Sequence, residues 1–281
     1  VSFIQWLKEN RFIVAAYFVV VGLVYHKIVY RMVLDWSRND DYSHGFLVPL
    51  VSAYFFWINR EKILSTKVQP SGWGLWVVLA GILQLVLAHL ASEHFLMRSS
   101  IIVLTGGALI YAVGWNVFKA MRLPIFYLFL MVPIPAIIYD TITMPLKLFV
   151  TKVSVGGLQA IGYSVIREGN IILLPNVTLE VADACSGLRS LMSLIALSTA
   201  FAFLSQKITW KRWGLIVSAV PIAIITNVMR VFVTGILAKH YGRVAAEGFF
   251  HEFAGMMVFV VAMAFLLGFG FLLKLGEKRH A

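Results

Sequence analysis

Long apolar runs recur along this chain at intervals too short to leave a soluble core between them. A helix needs about 20 mostly apolar residues to cross a bilayer. Eight stretches approach that length: 12–30, 45–59, 73–91, 99–116, 123–139, 186–205, 213–238 and 252–273. Charged residues make up 13% of the chain, about half the ~25% of soluble domains, so the runs read as membrane spans. The expected fold is an all-α polytopic membrane protein with about eight transmembrane helices, forming one domain over 1–281. Span two is short and span five carries Pro133 and Pro135, so each is a candidate for a partly re-entrant segment.

The net charge of +11 does not point to nucleic acid. The cations are scattered between apolar runs, where cytoplasmic loops carry lysine and arginine by default; the expected surroundings are membrane lipids. With the N-terminus in the cytoplasm, the inner segments hold Lys8 and Arg11; Arg60, Lys62 and Lys67; Lys119 and Arg122; Lys207, Lys211 and Arg212; and Lys274, Lys278 and Arg279. Most of the acids fall outside, with a smaller set of cations that includes Arg31, Arg38 and Arg243. An even number of spans puts both termini in the cytoplasm. The first apolar run has no small-residue cleavage site behind it and is expected to stay as an anchor.

One long connection, 140–184, lies on the outer side in this topology. Met144 to Ile161 mixes lysine, glycine and apolar residues and is a candidate amphipathic helix along the interface. Val177, Leu179 and Val181 then alternate with Thr178, Glu180 and Ala182, the strand period. Pro175-Asn176 supplies a turn after Ile171–Leu174, so a small extracytoplasmic β-hairpin is expected just before the sixth span.

That hairpin leads to the one cysteine in the chain, Cys185, in the run Asp183-Ala184-Cys185-Ser186-Gly187-Leu188-Arg189. A single thiol makes no intramolecular disulfide. Two readings are open: a small buried hydrophobe, or a nucleophile at a helix mouth. Asp183 is placed to cap the helix, and Cys185 in its first turn would gain from the unpaired N–H groups. Arg189, at i+4, shares that face. The charge of Asp183 opposes a thiolate, so the net shift has no sign from sequence.

Two further polar groups reach the same end of the bundle. Asn227 and Arg230 are three apart on an apolar helix. An arginine there normally faces the bundle interior; the other reading is a snorkelling side chain. His251 opens the last span, and Glu247 at i−4 is placed to orient its ring; otherwise His251 is an interfacial histidine without a task. Together the three supply a nucleophile, a base and an anion-stabilising cation. Histidine spacing suggests no metal site, a lone cysteine builds no thiolate cluster, and no cofactor is expected.

Ala184-Cys185-Ser186-Gly187-Leu188-Arg189, Asn227-Val228-Met229-Arg230, His251 and Asp41-Tyr42-Ser43-His44-Gly45-Phe46-Leu47-Val48-Pro49 together resemble the exosortase family, membrane cysteine transpeptidases of Gram-negative bacteria. The blocks fall in family order over nearly the whole chain. Related archaeal enzymes carry arginine where this chain has His251, so the bacterial branch fits better. The resemblance implies a multi-pass inner-membrane enzyme whose active site faces the periplasm. Its expected partners are PEP-CTERM proteins, which end in a short motif, a transmembrane helix and a basic tail, and an acceptor nucleophile that is not specified. It implies Cys185 as nucleophile with Arg230 and His251 as its catalytic partners. Arg189, Asn227, Asp183, Glu247 and His44 are the candidates for substrate binding or support. For His44 a second reading is open: a helix-start motif in which Asp40 or Ser43 caps span two. Some family members carry a further C-terminal domain; here the sequence reaches Ala281 just after the eighth span, and such a domain is expected to be trimmed or carried on another chain. The rival functional classes are a transporter or flippase, a structural component of exopolysaccharide export, and an acyltransferase acting on lipids.

Overall fold

A computed structural model describes residues 1–175, 177–181, 188–242 and 249–275, with the backbone alone at 188–189 and 249–252. The chain forms two compact units, Val1–Pro135 and Ala136–Ala281.

The first unit contains α1 (Phe3–Glu9), α2 (Arg11–Arg38), a 3-10 segment (Asp40–Phe46), α3 (Leu47–Ile58), α4 (Arg60–Ser65), α5 (Trp73–Leu90), α6 (His94–Val113), α7 (Trp115–Tyr127) and a second 3-10 turn (Leu128–Met131). Helices α5 and α6 form a tight hairpin. Glu93 caps α6, its carboxylate accepting from the backbone N–H groups of Phe95 and Leu96. Small residues let the two backbones approach, the usual device where lipid removes the hydrophobic drive between helices. A Cβ on Gly74 would lie 2.1 Å from the Tyr111 nitrogen, and one on Gly107 2.7 Å from that of Val78.

The second unit contains α8 (Ala136–Ala160), β1 (Ile166–Glu168), β2 (Ile171–Leu174), β3 (Val177–Glu180), α9 (Leu188–Ser205), α10 (Thr209–Tyr241) and α11 (Phe249–Leu275). Helices α9, α10 and α11 pack through Leu191 and Leu194, Leu215, Ala219 and Ala223, and Ala262 and Leu266. At one end Gln206 donates to the Gly270 carbonyl and Lys211 to that of Leu273. Helix α8 lies on α10, where Leu158 is fully buried against Gly235. A Cβ on Gly235 would come within 2.8 Å of a Leu158 methyl, so Gly235→Ala is expected to cost ~1–3 kcal/mol through overpacking. Gly214 on the same helix has open space around it, and Gly214→Ala is expected to be neutral or slightly stabilising. Thermal unfolding of the two variants in detergent checks the contrast.

Among the described residues five helices are long and apolar enough to cross a membrane, or six if the broken stretch 115–160 counts as one span. Five of the expected eight meet this test directly among the described residues. Span two is the 12-residue α3, because its first part winds as 3-10 helix. Span five is interrupted between Met131 and Ala136, where Pro133 and Pro135 remove N–H donors. Span six is the short α9, of which Ser190–Ser205 counts as a shorter apolar helix.

The hairpin is present with a strand more than expected. Leu174 pairs with Val177, and β1 adds antiparallel to β2. Val177 and Leu179 are buried and Thr178 and Glu180 exposed, the alternation read from sequence. All three residues of β1 are exposed, so no alternation marked it. The segment expected as an interfacial helix from Met144 is part of α8, which begins earlier and buries Thr143, Val150, Ser154 and Leu158.

Candidate active site

Helix α10 carries Asn227 and Arg230 deep in an apolar stretch. Asn227 is 2% exposed and Thr226 1%. The half-buried Arg230 guanidinium lies against α11: a Cβ on Gly255 would be 3.2 Å from Arg230 Nη2. A cation in a membrane helix normally turns to the protein interior, and the missing side chain at position 255 leaves the room. Arg230 thus lies against α11. Position 251 is one turn before Gly255 on α11, about 6 Å along the axis, and four residues apart puts both positions on one helix face.

The sheet meets α10 at the same level. Val181, just after β3, is held twice by Asn170, whose carbonyl accepts from the Val181 N–H and whose side-chain amide donates to the Val181 carbonyl. Val181 is buried in one apolar cluster with Val231, and Val228 and Phe232 pack against it. These are the neighbours of Arg230 in sequence. Ser154 of α8 also donates to the Val228 carbonyl at 3.2 Å.

The described residues thus bring together the exit of the sheet, the Asn227–Arg230 turn and the start of α11. Asp183, Cys185 and Glu247 lie outside the described residues. Arg189 and His251 are described only as helical backbone, in the first turns of α9 and α11. Arg167 sits exposed on β1.

His44 belongs to the first unit and has a structural task there. The break after α7 releases carbonyls, and irregular backbone at membrane depth must find protein partners. Four side chains supply them. Trp36 Nε1 donates to Met131, Ser52 to Pro124, and Tyr42 to Ile134. His44 Nε2 makes the fourth bond, at 3.1 Å to the Leu130 carbonyl; because a carbonyl only accepts, Nε2 carries the proton. The 3-10 segment is capped by Asn39, whose side chain accepts from the Asp41 N–H, and not by Asp40 or Ser43. Gly45 is required because a Cβ there would fall 2.4 Å from the Trp36 indole nitrogen.

Residue-by-residue reading of the sequence missed two features. One is Gly255, whose role depends on a side chain from another helix. The other is the ion pair between Arg98 and Asp35, in which Arg98 is 6% exposed; i,i+4 spacing does not reveal a pair 63 residues apart. Among the described residues no group of three or more histidine, cysteine, aspartate or glutamate side chains is arranged to hold a metal ion.

No curated protein and no solved structure matches the chain significantly. The sequence model of one protein family, described as Transmembrane exosortase (Exosortase_EpsH), matches residues 36–268. That stretch contains the Asp41–Pro49 block, Cys185, the Asn227–Arg230 turn and His251, and it covers most of the chain: the protein belongs to the transmembrane exosortase family.

Proposed function

We propose that the chain is a multi-pass inner-membrane cysteine transpeptidase that cleaves the C-terminal sorting signal of PEP-CTERM proteins, with both termini cytoplasmic and the active site facing the periplasm. The observation that carries this reading is the Arg230 guanidinium seated on Gly255, one turn from position 251. The strand that leads to Cys185 is packed on the same turn of α10.

The substrate's own helix docks laterally in the membrane and sets its motif at the outer rim. Arg189 or Arg167 takes the acidic residue of the motif, Asn227 supports Arg230 within the bundle, and Asp183 and Glu247 orient the helix start and the imidazole. The Cys185 thiolate attacks the scissile carbonyl carbon, and the electron pair of the C=O bond moves to oxygen. Arg230 stabilises that oxyanion or, before attack, the thiolate. The oxyanion collapses, the C–N bond breaks, and His251 gives a proton to the leaving amine. The substrate is then held as a thioester on Cys185. His251 next takes a proton from an incoming amine or water, which attacks the thioester and returns the thiolate.

The test is to trap the intermediate. Reconstituted protein incubated with a sorting-signal substrate should show an intact mass increased by the N-terminal acyl fragment, located on Cys185 and released by hydroxylamine. An adduct on another residue, or full cleavage with no adduct, overturns the reading. An attached lipid acyl group in place of a peptide points to the lipid acyltransferase class.

A further inference from the structure

A second polar feature lies within the first unit, where α2 meets the turn of the α5–α6 hairpin. There a cavity of about 440 Å³ is lined by Lys27 and Arg31 of α2, His89 at the end of α5, and Ser92, His94 and Arg98 around the start of α6. Three of these groups are permanent cations, two are histidines, and none of the lining residues is an acid. Lys27 and Arg31 are four apart on α2, and His94 and Arg98 four apart on α6, so each helix turns one pair to the cavity.

The nearest carboxylates are already engaged. Asp35 pairs with Arg98 through one guanidinium nitrogen, Nη2, and Glu93 is spent on the backbone of Phe95 and Leu96. Arg98 is 6% exposed, and a guanidinium presents five N–H donors, so a single carboxylate leaves donors for a ligand at the cavity wall.

The flanks identify the ligand. Helix α2 exposes Leu23 at 70% and Tyr30 at 65%, and α5 exposes Leu87 at 54% and Leu90 at 77%. Only 6% of the apolar window of α2 is buried. The basic mouth therefore opens between two lipid-facing surfaces. A soluble anion would gain nothing from those surfaces, whereas acyl chains would cover them. Basic pockets between membrane helices are suited to phosphate headgroups, and the volume is within the range of small-ligand sites.

We propose that this cavity binds the headgroup phosphate of an anionic phospholipid, its acyl chains lying against α2 and α5. Lys27 and Arg31 are exposed at the rim and make no described ion pair, so Lys27→Gln and Arg31→Gln leave the fold intact. Native mass spectrometry of the full chain in detergent, titrated with phosphatidylglycerol or phosphatidylcholine of the same chain length, reads the affinities. Phosphatidylglycerol should bind about tenfold more tightly or better, and each substitution should lower its affinity about fivefold without moving the lipid-free melting temperature. Equal affinity for the two lipids, or phosphatidylglycerol binding untouched in the double variant, overturns the proposal. Displacement of the lipid by an equal concentration of inorganic phosphate overturns it in favour of a soluble-anion site. A raised KM for a sorting-signal peptide with lipid binding unchanged overturns it in favour of a peptide site.

Discussion

Cys185→Ala is expected to lower cleavage of a sorting-signal substrate by ~10⁴-fold or more, as removal of a covalent nucleophile does. The thioester adduct should vanish with it. Cys185→Ser should fare little better: a hydroxyl is far less acidic than a thiol and is not held ionised by the cation and helix start that serve a thiolate. The assay is the mass shift of a membrane-anchored substrate in reconstituted vesicles, with folding monitored by melting temperature. Full turnover in Cys185→Ala would sink the transpeptidase reading. It would mean that a group other than the thiol is the nucleophile.

Arg230→Ala is expected to lower kcat ~10²–10³-fold, the range for losing one preorganised donor to a developing oxyanion. Arg230→Lys keeps the charge and loses the planar fork, so it should recover only part of that loss. Normal turnover in Arg230→Lys would reduce the role of Arg230 to charge alone. Gly255 offers a test independent of residue 230. The Cβ of Gly255→Ala would be 3.2 Å from Nη2, the end of a flexible side chain, so the guanidinium needs to move only a few tenths of an ångström. Gly255→Leu puts branched carbons where the guanidinium lies. Its kcat should fall toward that of Arg230→Ala with KM little changed, while better helix propensity keeps α11 folded. Unchanged kcat in Gly255→Leu would mean that the observed seat of Arg230 is not the working one.

Much of the architecture could be read before any coordinates because the bilayer is a demanding solvent. Apolar length decides where a helix can span, and five of the eight expected runs are helices that meet this test. The buried–exposed alternation from Val177 to Glu180 was equally legible, since a strand on a packed surface must turn every second residue inward. Apolar length alone did not settle span two and span five, which their shortness and prolines had already set apart. There the chain winds as 3-10 helix or breaks at proline, and the released carbonyls are satisfied by Trp36, Tyr42, His44 and Ser52. Those donors are about 70 to 95 residues away in sequence, so no local pattern reports them. His44 shows what this changes: a motif histidine read beside the catalytic set also has a place as a buried donor to a broken helix.

Sequence by itself determined that this is a membrane bundle, which family it resembles, and that a lone thiol, an arginine within an apolar run and a histidine before the last run follow one another in that family's order. These follow from composition, spacing and chain order. Only the tertiary structure decided where the Arg230 charge goes, because that depends on a glycine of another helix leaving space for it. The basic cavity was likewise invisible to local reading. Its cations are distributed over α2 and α6, where each passes singly for a flanking charge, and only helix packing gathers them around one void.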